Sequence, residues 1–236
     1  MRSRGFYDCF RESVNERWCW VTRTNQKRNH RMAIIRSHSG KVLLDTTQAL
    51  IQVGMVPTNT HEFHFKFSQS HYNCPIREIR IPVYILEPTT VPNDYQNSFY
   101  AYFCDYEADS TRTVQIGQAM DYFFTATLSG CSVGICPQDA AGRHWVGHAN
   151  AMTVTMNLEA MLGGASLPVL RQQQQRFQNR MLRNSHQGRM DVYHGPHYGI
   201  PEDTTNNLRT TLIGFRDRRT GRWSFIRQVY DLAHFV

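Results

Sequence analysis

The sequence predicts an α+β fold with a mostly antiparallel β-sheet or sandwich core and flanking helices. Three observations carry that expectation. Short segments such as HEFHFKF (residues 61–67) alternate apolar and polar positions with the period of a strand. Turn residues separate such segments, as in DRRTG (residues 217–221). One late stretch, SLPVLRQQQQRFQNRMLRNS (residues 166–185), loses β-branched residues and gains helix formers. The 236 residues exceed the commonest domain size, and they divide into a basic arm over residues 1–31 and a single domain over residues 32–236.

Taken in order, residues 1–31 mix tryptophan, arginine and asparagine without a period, and read as a helical or partly ordered arm. MAIIRSHSGKVLLDT (residues 32–46) places two apolar runs around Ser-Gly, a hairpin signal. HEFHFKF is a strand, on which His61 and His64 read as strand-face residues rather than ligands, and IREIRIPVYIL (residues 76–86) continues in kind, Pro82 marking an edge or a bulge. SFYAYFCDY (residues 98–106) is a further strand. IGQAMDYFF (residues 116–124) fits a short helix or a strand, and HWVGHANAMTVTMNL (residues 144–158) returns as β. The helix over residues 166–185 sets Leu170, Phe177 and Met181 on roughly one face. TTLIGFRDRRTGRWSFIRQVYDL (residues 210–232) closes the chain as two strands around the turn at 217–221.

Composition excludes several classes. No run approaches the roughly 20 apolar residues that span a bilayer, and the basic N-terminus is not followed by a secretory apolar run, so a soluble protein without a conventional signal peptide is expected. Six cysteines in a chain of this size predict reduced thiols rather than disulfide staples. The formal charge is +7, and every basic residue except Lys27, Lys41 and Lys66 is an arginine, which favours acidic partners. No acid lies between Glu159 and Asp191, so the helix there has a cationic outer face, either solvated or a contact for an acidic surface. Residues 93–121 carry five acids against Arg112 alone and read as a solvated loop or as a contact for a basic surface. His194 and His197 near Asp191 lie in a Gly-Pro loop without a further ligand, and no phosphate-cradling glycine loop exists, so neither metal nor cofactor is expected and no nucleic acid is required.

The chemistry concentrates in TATLSGCSVGIC (residues 125–136). Thr125, Thr127 and Ser129 alternate as in a strand, and Gly130 permits the tight turn that sets Cys131 at a strand end. Small neighbours leave room for a substrate, and backbone N–H groups at Gly130 and Cys131 are candidates for holding an oxyanion. Cys136, between Ile135 and Pro137, reads as structural. PQDAAGR (residues 137–143) joins two antiparallel strands and returns a histidine beside the cysteine. His144 and His148 share a strand face, so periodicity does not choose between them.

TLSGCSVGICPQDAAGRHWVGHANA (residues 127–151) resembles the active-site hairpin of the bacterial glutamine deamidases: the catalytic domain of the cytotoxic necrotizing factors, Burkholderia lethal factor and the chemoreceptor deamidases. The LSGC of the toxins falls on Leu128, Ser129, Gly130 and Cys131. The threonine and histidine of the chemoreceptor enzymes, six residues before and seventeen after the cysteine, fall on Thr125 and His148. The resemblance covers about 25 of the 236 residues and is a composite of the two branches. It implies a deamidase-like fold, Cys131 as nucleophile, His148 as base and Thr125 as the group that orients the imidazole.

The function so implied is conversion of a target-protein glutamine to glutamate through a thioester. The chain would be a virulence effector or toxin acting in a host cytosol, on a protein such as a small GTPase or a translation factor. A transglutaminase or cysteine protease on the same pair is the first alternative, since all three share an acyl-enzyme. A non-enzymatic protein that binds acidic surfaces through the arm and the helix over residues 167–185 is the second.

Overall fold

A computed structural model describes residues 19–20, 35–36, 43–45, 60–74, 79–88, 98–151, 153, 167–186, 190–194 and 208–236. The described chain is a mixed α+β fold with two mainly antiparallel sheets and one flanking helix. The strands are β1 (Cys19–Trp20), β2 (Ile35–Arg36), β3 (Leu43–Asp45), β4 (Thr60–Cys74), β5 (Ile79–Pro88), β6 (Ser98–Cys104), β7 (Thr111–Ile116), β8 (Tyr122–Thr125), β9 (Ser132–Ile135), β10 (His144–Ala149), β11 (Asp191–His194), β12 (Leu208–Arg216) and β13 (Trp223–Asp231). The helix, α1, is Leu167–Ser185. The large sheet runs β13-β12-β8-β6-β4-β5-β3 and the small one β11-β9-β10-β7, with β1 and β2 as a separate pair.

The strand patterns explain the layering. Along β6, Ala101 and Phe103 point to one side and Tyr102 and Cys104 to the other, so both faces of the large sheet are apolar. One face builds a cluster around Phe63, Phe103 and Phe124, with ring centroids 5.4 Å apart for Phe63 and Phe103. Each buried phenylalanine there contributes on the order of 1.5–3 kcal/mol of transfer free energy. The other face meets the small sheet: Tyr102, Phe123, Leu212 and Trp223 pack with Val114, Ile116, Val133 and Val146. The far side of the small sheet takes α1 through Leu182, with Met190, just before β11, packed in the same cluster.

Several expectations over individual segments are met. Pro82 sits where β4 and β5 shift register between Phe67 and His71, one residue before the stretch of β5 that pairs with β3, so the strand bears it at an irregularity. The closing hairpin is β12–β13, with Gly221 at φ 72° in the left-handed conformation. Cys104, Cys131 and Cys136 are free thiols.

Others are corrected. The hairpin expected over residues 32–46 does not form: β2 pairs with β1, and β3 runs parallel to β5. A local turn signal marks where a chain can reverse but does not choose a partner dozens of residues away. Beyond Cys19–Trp20, the rest of residues 1–31 lies outside the described residues. The described part of residues 93–121, which starts at Ser98, is not a solvated loop. It contains β6 and β7, and Asp121 is half-buried in an ion pair with Arg216 at 2.8 Å. The strand begun at His144 ends at Ala149 rather than running to residue 158, of which 154–158 lie outside the described residues. Phe177 is 38 % exposed, so the buried row of α1 is Leu170, Gln178 and Leu182 and not Leu170, Phe177 and Met181.

Gly134 and Gly147 explain how closely α1 approaches: a Cβ at Gly147 would stand 2.8 Å from Leu182 Cδ2 and one at Gly134 3.3 Å from the same atom, while the Gly134 Cβ would also meet Met190 Sδ, beyond the helix, at 2.6 Å. Gly147→Val should therefore destabilise the protein by about 1–3 kcal/mol through overpacking. Adding Leu182→Ala should recover part of that loss, both read from urea unfolding midpoints.

Candidate functional site

The site grows from one hairpin. β9 and β10 are antiparallel, with Val133 opposite His148 and Val146 opposite Ile135. Their connection is closed by Asp139, whose Oδ1 accepts from the backbone N–H of Ala141 and of Arg143 at 2.9 and 2.8 Å. Those bonds, led by that from Arg143, hold the Asp139 carboxyl below the usual carboxylate range. Gly142, at φ 75°, completes the turn.

The register separates the two histidines that periodicity left equivalent. His144 lies at the Cys136 end, where its Nδ1 meets the Cys136 carbonyl at 2.8 Å. His148 lies at the other end, diagonally across from Cys131 on the face turned to the large sheet. Beyond His148 the pairing continues through side chains: Asn150 Nδ2 donates to Cys131 Sγ at 3.3 Å. Thr125 stands on the large sheet beside Cys104, and strand alternation turns it to the same inter-sheet layer as Phe123.

The alternating strand expected over Thr125, Thr127 and Ser129 is cut short, because β8 ends at Thr125 and only Leu128 bridges onward, to Thr210. Gly130 has φ 119°, a conformation that suits glycine, and β9 starts immediately after Cys131.

All three side chains are enclosed: Thr125 is 0 %, His148 1 % and Cys131 3 % exposed. Ser129 is exposed and Gly130 half-buried beside them. Thr125 Oγ1 and both ring nitrogens of His148 have no hydrogen-bond partner among the described residues. Three buried polar atoms without partners in one layer are costly, since each forfeits its hydration without replacement. The exposed Tyr106 packs its ring 6.0 Å from that of His148.

Electrostatics follow from the burial. Desolvation pushes the Cys131 thiol up, against the opposing donors Asn150 Nδ2–H and the Ser129 backbone N–H. Desolvation likewise lowers His148 to about 4. Near neutral pH the layer therefore holds a thiol and a free-base imidazole.

Three residues without a local motif, Asn150, Ser132 and Gln178, belong here together with His194. Asn150 holds the sulfur. On the helix side of β9, Ser132, Gln178 and His194 form a buried chain ending on the Gly130 carbonyl. His194, expected in a loop, is in β11 opposite Ser132. His197 lies outside the described residues. A signal for Gln178 existed: it falls between Leu170 and Leu182 at steps of four, on the row that faces the sheet.

Among the described residues no cluster of His, Cys, Asp or Glu is suited to a metal, and no helix is long and apolar enough to cross a membrane. A surface pocket of about 420 Å³ beside Tyr102, Gln115, Gly117, Gln118 and Arg143 lies at the His144 end of β10, away from Cys131. Comparison with protein-family models and with curated proteins finds no match.

Burial of His148 has a pH signature. Its folded value of about 4 lies below the ordinary 6.5, so between these two the unfolded chain takes a proton that the folded protein refuses. Stability should fall as pH drops from about 6.5 to about 4, by roughly 3 kcal/mol from this group at about 1.4 kcal/mol per unit. Above that window the group contributes no slope. His148→Gln should flatten that acid limb in urea titrations across pH.

Proposed function

We propose that the protein is a thiol-dependent protein glutamine deamidase with a deamidase-like architecture, using Cys131, His148 and Thr125. The observation that carries the reading is the coincidence of the family spacing with one inter-sheet layer. Cys131 and His148 share a face of the β9–β10 pair, and Thr125 turns toward the same layer from β8. The unpartnered Thr125 hydroxyl and His148 nitrogens support it, since polar atoms left buried without partners mark sites where substrate supplies the missing contact.

The chemistry follows from the ionisation states. A glutamine side chain enters past the exposed Ser129 and the Gly130 turn. His148 takes the Cys131 proton as the sulfur attacks the carboxamide carbon, forming a C–S bond and an oxyanion held by N–H groups at Gly130 and Cys131. The imidazolium returns its proton to the departing nitrogen, ammonia leaves, and a thioester remains. Water, deprotonated by the same imidazole, attacks the thioester. Glutamate is released and the thiol is restored. Thr125 orients the ring, the task of the third member of such a constellation.

In this reading the protein is an effector or toxin whose target is a host protein, with small GTPases and translation factors as the classes the family resemblance suggests. The arginines Arg176, Arg180 and Arg183, exposed along α1, offer an acidic target a contact surface.

Mass spectrometry of cell extract treated with the protein should reveal a target peptide about one dalton heavier, with no cleavage and no crosslink when a primary amine is supplied. Amine incorporation would assign a transglutaminase, and new termini a protease. Cys131→Ser should abolish the change, and His148→Ala should slow it at least a hundredfold. A cellular effect that survives Cys131→Ser but is lost on replacing Arg176 and Arg180 would replace the enzyme with a basic interaction protein.

A further inference from the structure

The Cys131 turn is gripped from behind. Gln178 is fully buried on the sheet-facing row of α1, at a position where packing alone calls for an apolar side chain such as its neighbours Leu170 and Leu182. Its Nε2 donates to the Gly130 carbonyl at 2.9 Å. Its Oε1 accepts from Ser132 Oγ, which lies 2.6 Å from His194 Nδ1. A hydroxyl has one proton, and Ser132 spends it on Gln178, so His194 Nδ1–H donates to Ser132. The donations therefore run one way, from β11 through β9 to the helix and back to Gly130.

The bond to Gly130 falls where the backbone is least constrained by itself. Gly130 is at φ 119°, and a residue without Cβ visits many other conformations at little cost. The peptide is planar, so holding the Gly130 carbonyl also holds the N–H of Cys131 on its opposite side. The same short turn brings the Ser129 backbone N–H to the Cys131 sulfur. An apolar side chain at position 178 would fill the space but leave the turn free to rotate.

We infer that Gln178, backed by Ser132 and His194, is a positioning residue: it clamps the Gly130 carbonyl and so fixes the Ser129–Gly130–Cys131 turn in the form that presents the sulfur and its backbone donors to substrate. This rests on the reading of Cys131 as the nucleophile. Among the described residues, the titratable groups on the layer that Cys131 faces are His148 of β10, with Tyr106 packed on its ring, and Tyr102 and Cys104 of β6, whereas Gln178 lies on the helix side of β9.

The test is the rate at which iodoacetamide alkylates Cys131 in the folded full-length chain, followed by peptide mass spectrometry from pH 6 to pH 10. Gln178→Met should move the midpoint of the rate profile upward by about one unit and slow alkylation at pH 7.5 about tenfold, while circular dichroism stays that of the wild type. Gln178→Glu separates the clamp from mere filling of space. When protonated, its carboxyl both donates to Gly130 and accepts from Ser132, so this variant should match the wild type at the acid end and fall away as the carboxyl ionises. That break is one a packing role does not produce. A folded Gln178→Met with the wild-type profile overturns the clamp, as does a Gln178→Glu profile without the break if the methionine variant fails to fold. A wild-type Cys131 that resists alkylation in the folded state overturns the nucleophile reading itself, and the clamp with it.

Discussion

The pairing of β9 with β10 is the constraint from which the candidate site derives. Antiparallel ladders admit no half-steps: slipping by one residue would turn every side chain to the opposite face. With Val133 opposite His148, the sulfur, the imidazole and the aliphatic row Val133, Val146 and Ile116 all turn toward the large sheet. The same register hands the small residues Ser132, Gly134 and Gly147 to the helix side, where bulk is excluded. One choice of alignment thus arranges both the inter-sheet layer and the surface on which α1 rests.

Two kinds of buried polarity flank this hairpin, and they differ in kind. On the helix side Ser132, Gln178 and His194 are joined in a continuous hydrogen-bonded chain that ends on the Gly130 carbonyl, which offsets the cost of enclosing the amide. On the inter-sheet side, Thr125 Oγ1 and the His148 nitrogens are enclosed without partners among the described residues. A satisfied network rigidifies its surroundings, whereas unsatisfied groups raise the free energy of the folded state until something pairs with them. The rigid half lies directly behind the unsatisfied half, separated by the thickness of one strand.

Charge enters the site only through motion of protons. Cys131 is held as thiol by desolvation and His148 as free base by the same cause, with no ion pair to pin either. Enclosure, rather than a neighbouring cation, is the dominant influence on both. The charges sit elsewhere: on the exposed arginines of α1, in the half-buried Asp121 pairing with Arg216 and the more exposed Arg218, and in the Arg143–Asp139 pair of the β9–β10 connection.

Local pattern alone determined a good deal. Alternation marked β4, β6 and the β12–β13 hairpin, the change in composition marked α1, and Gly130 and the 137–143 connection marked the two turns around Cys131. These features are legible because each depends on residues within a few positions of one another. Tertiary structure decided the rest. It joined β3 to β5 and β6 to β8 in parallel, placed His144 at the Cys136 end and His148 near Cys131, and turned Gln178 inward in place of Phe177. Each of those outcomes depends on which distant segment supplies the partner, and a sequence read one window at a time holds no term for that contact.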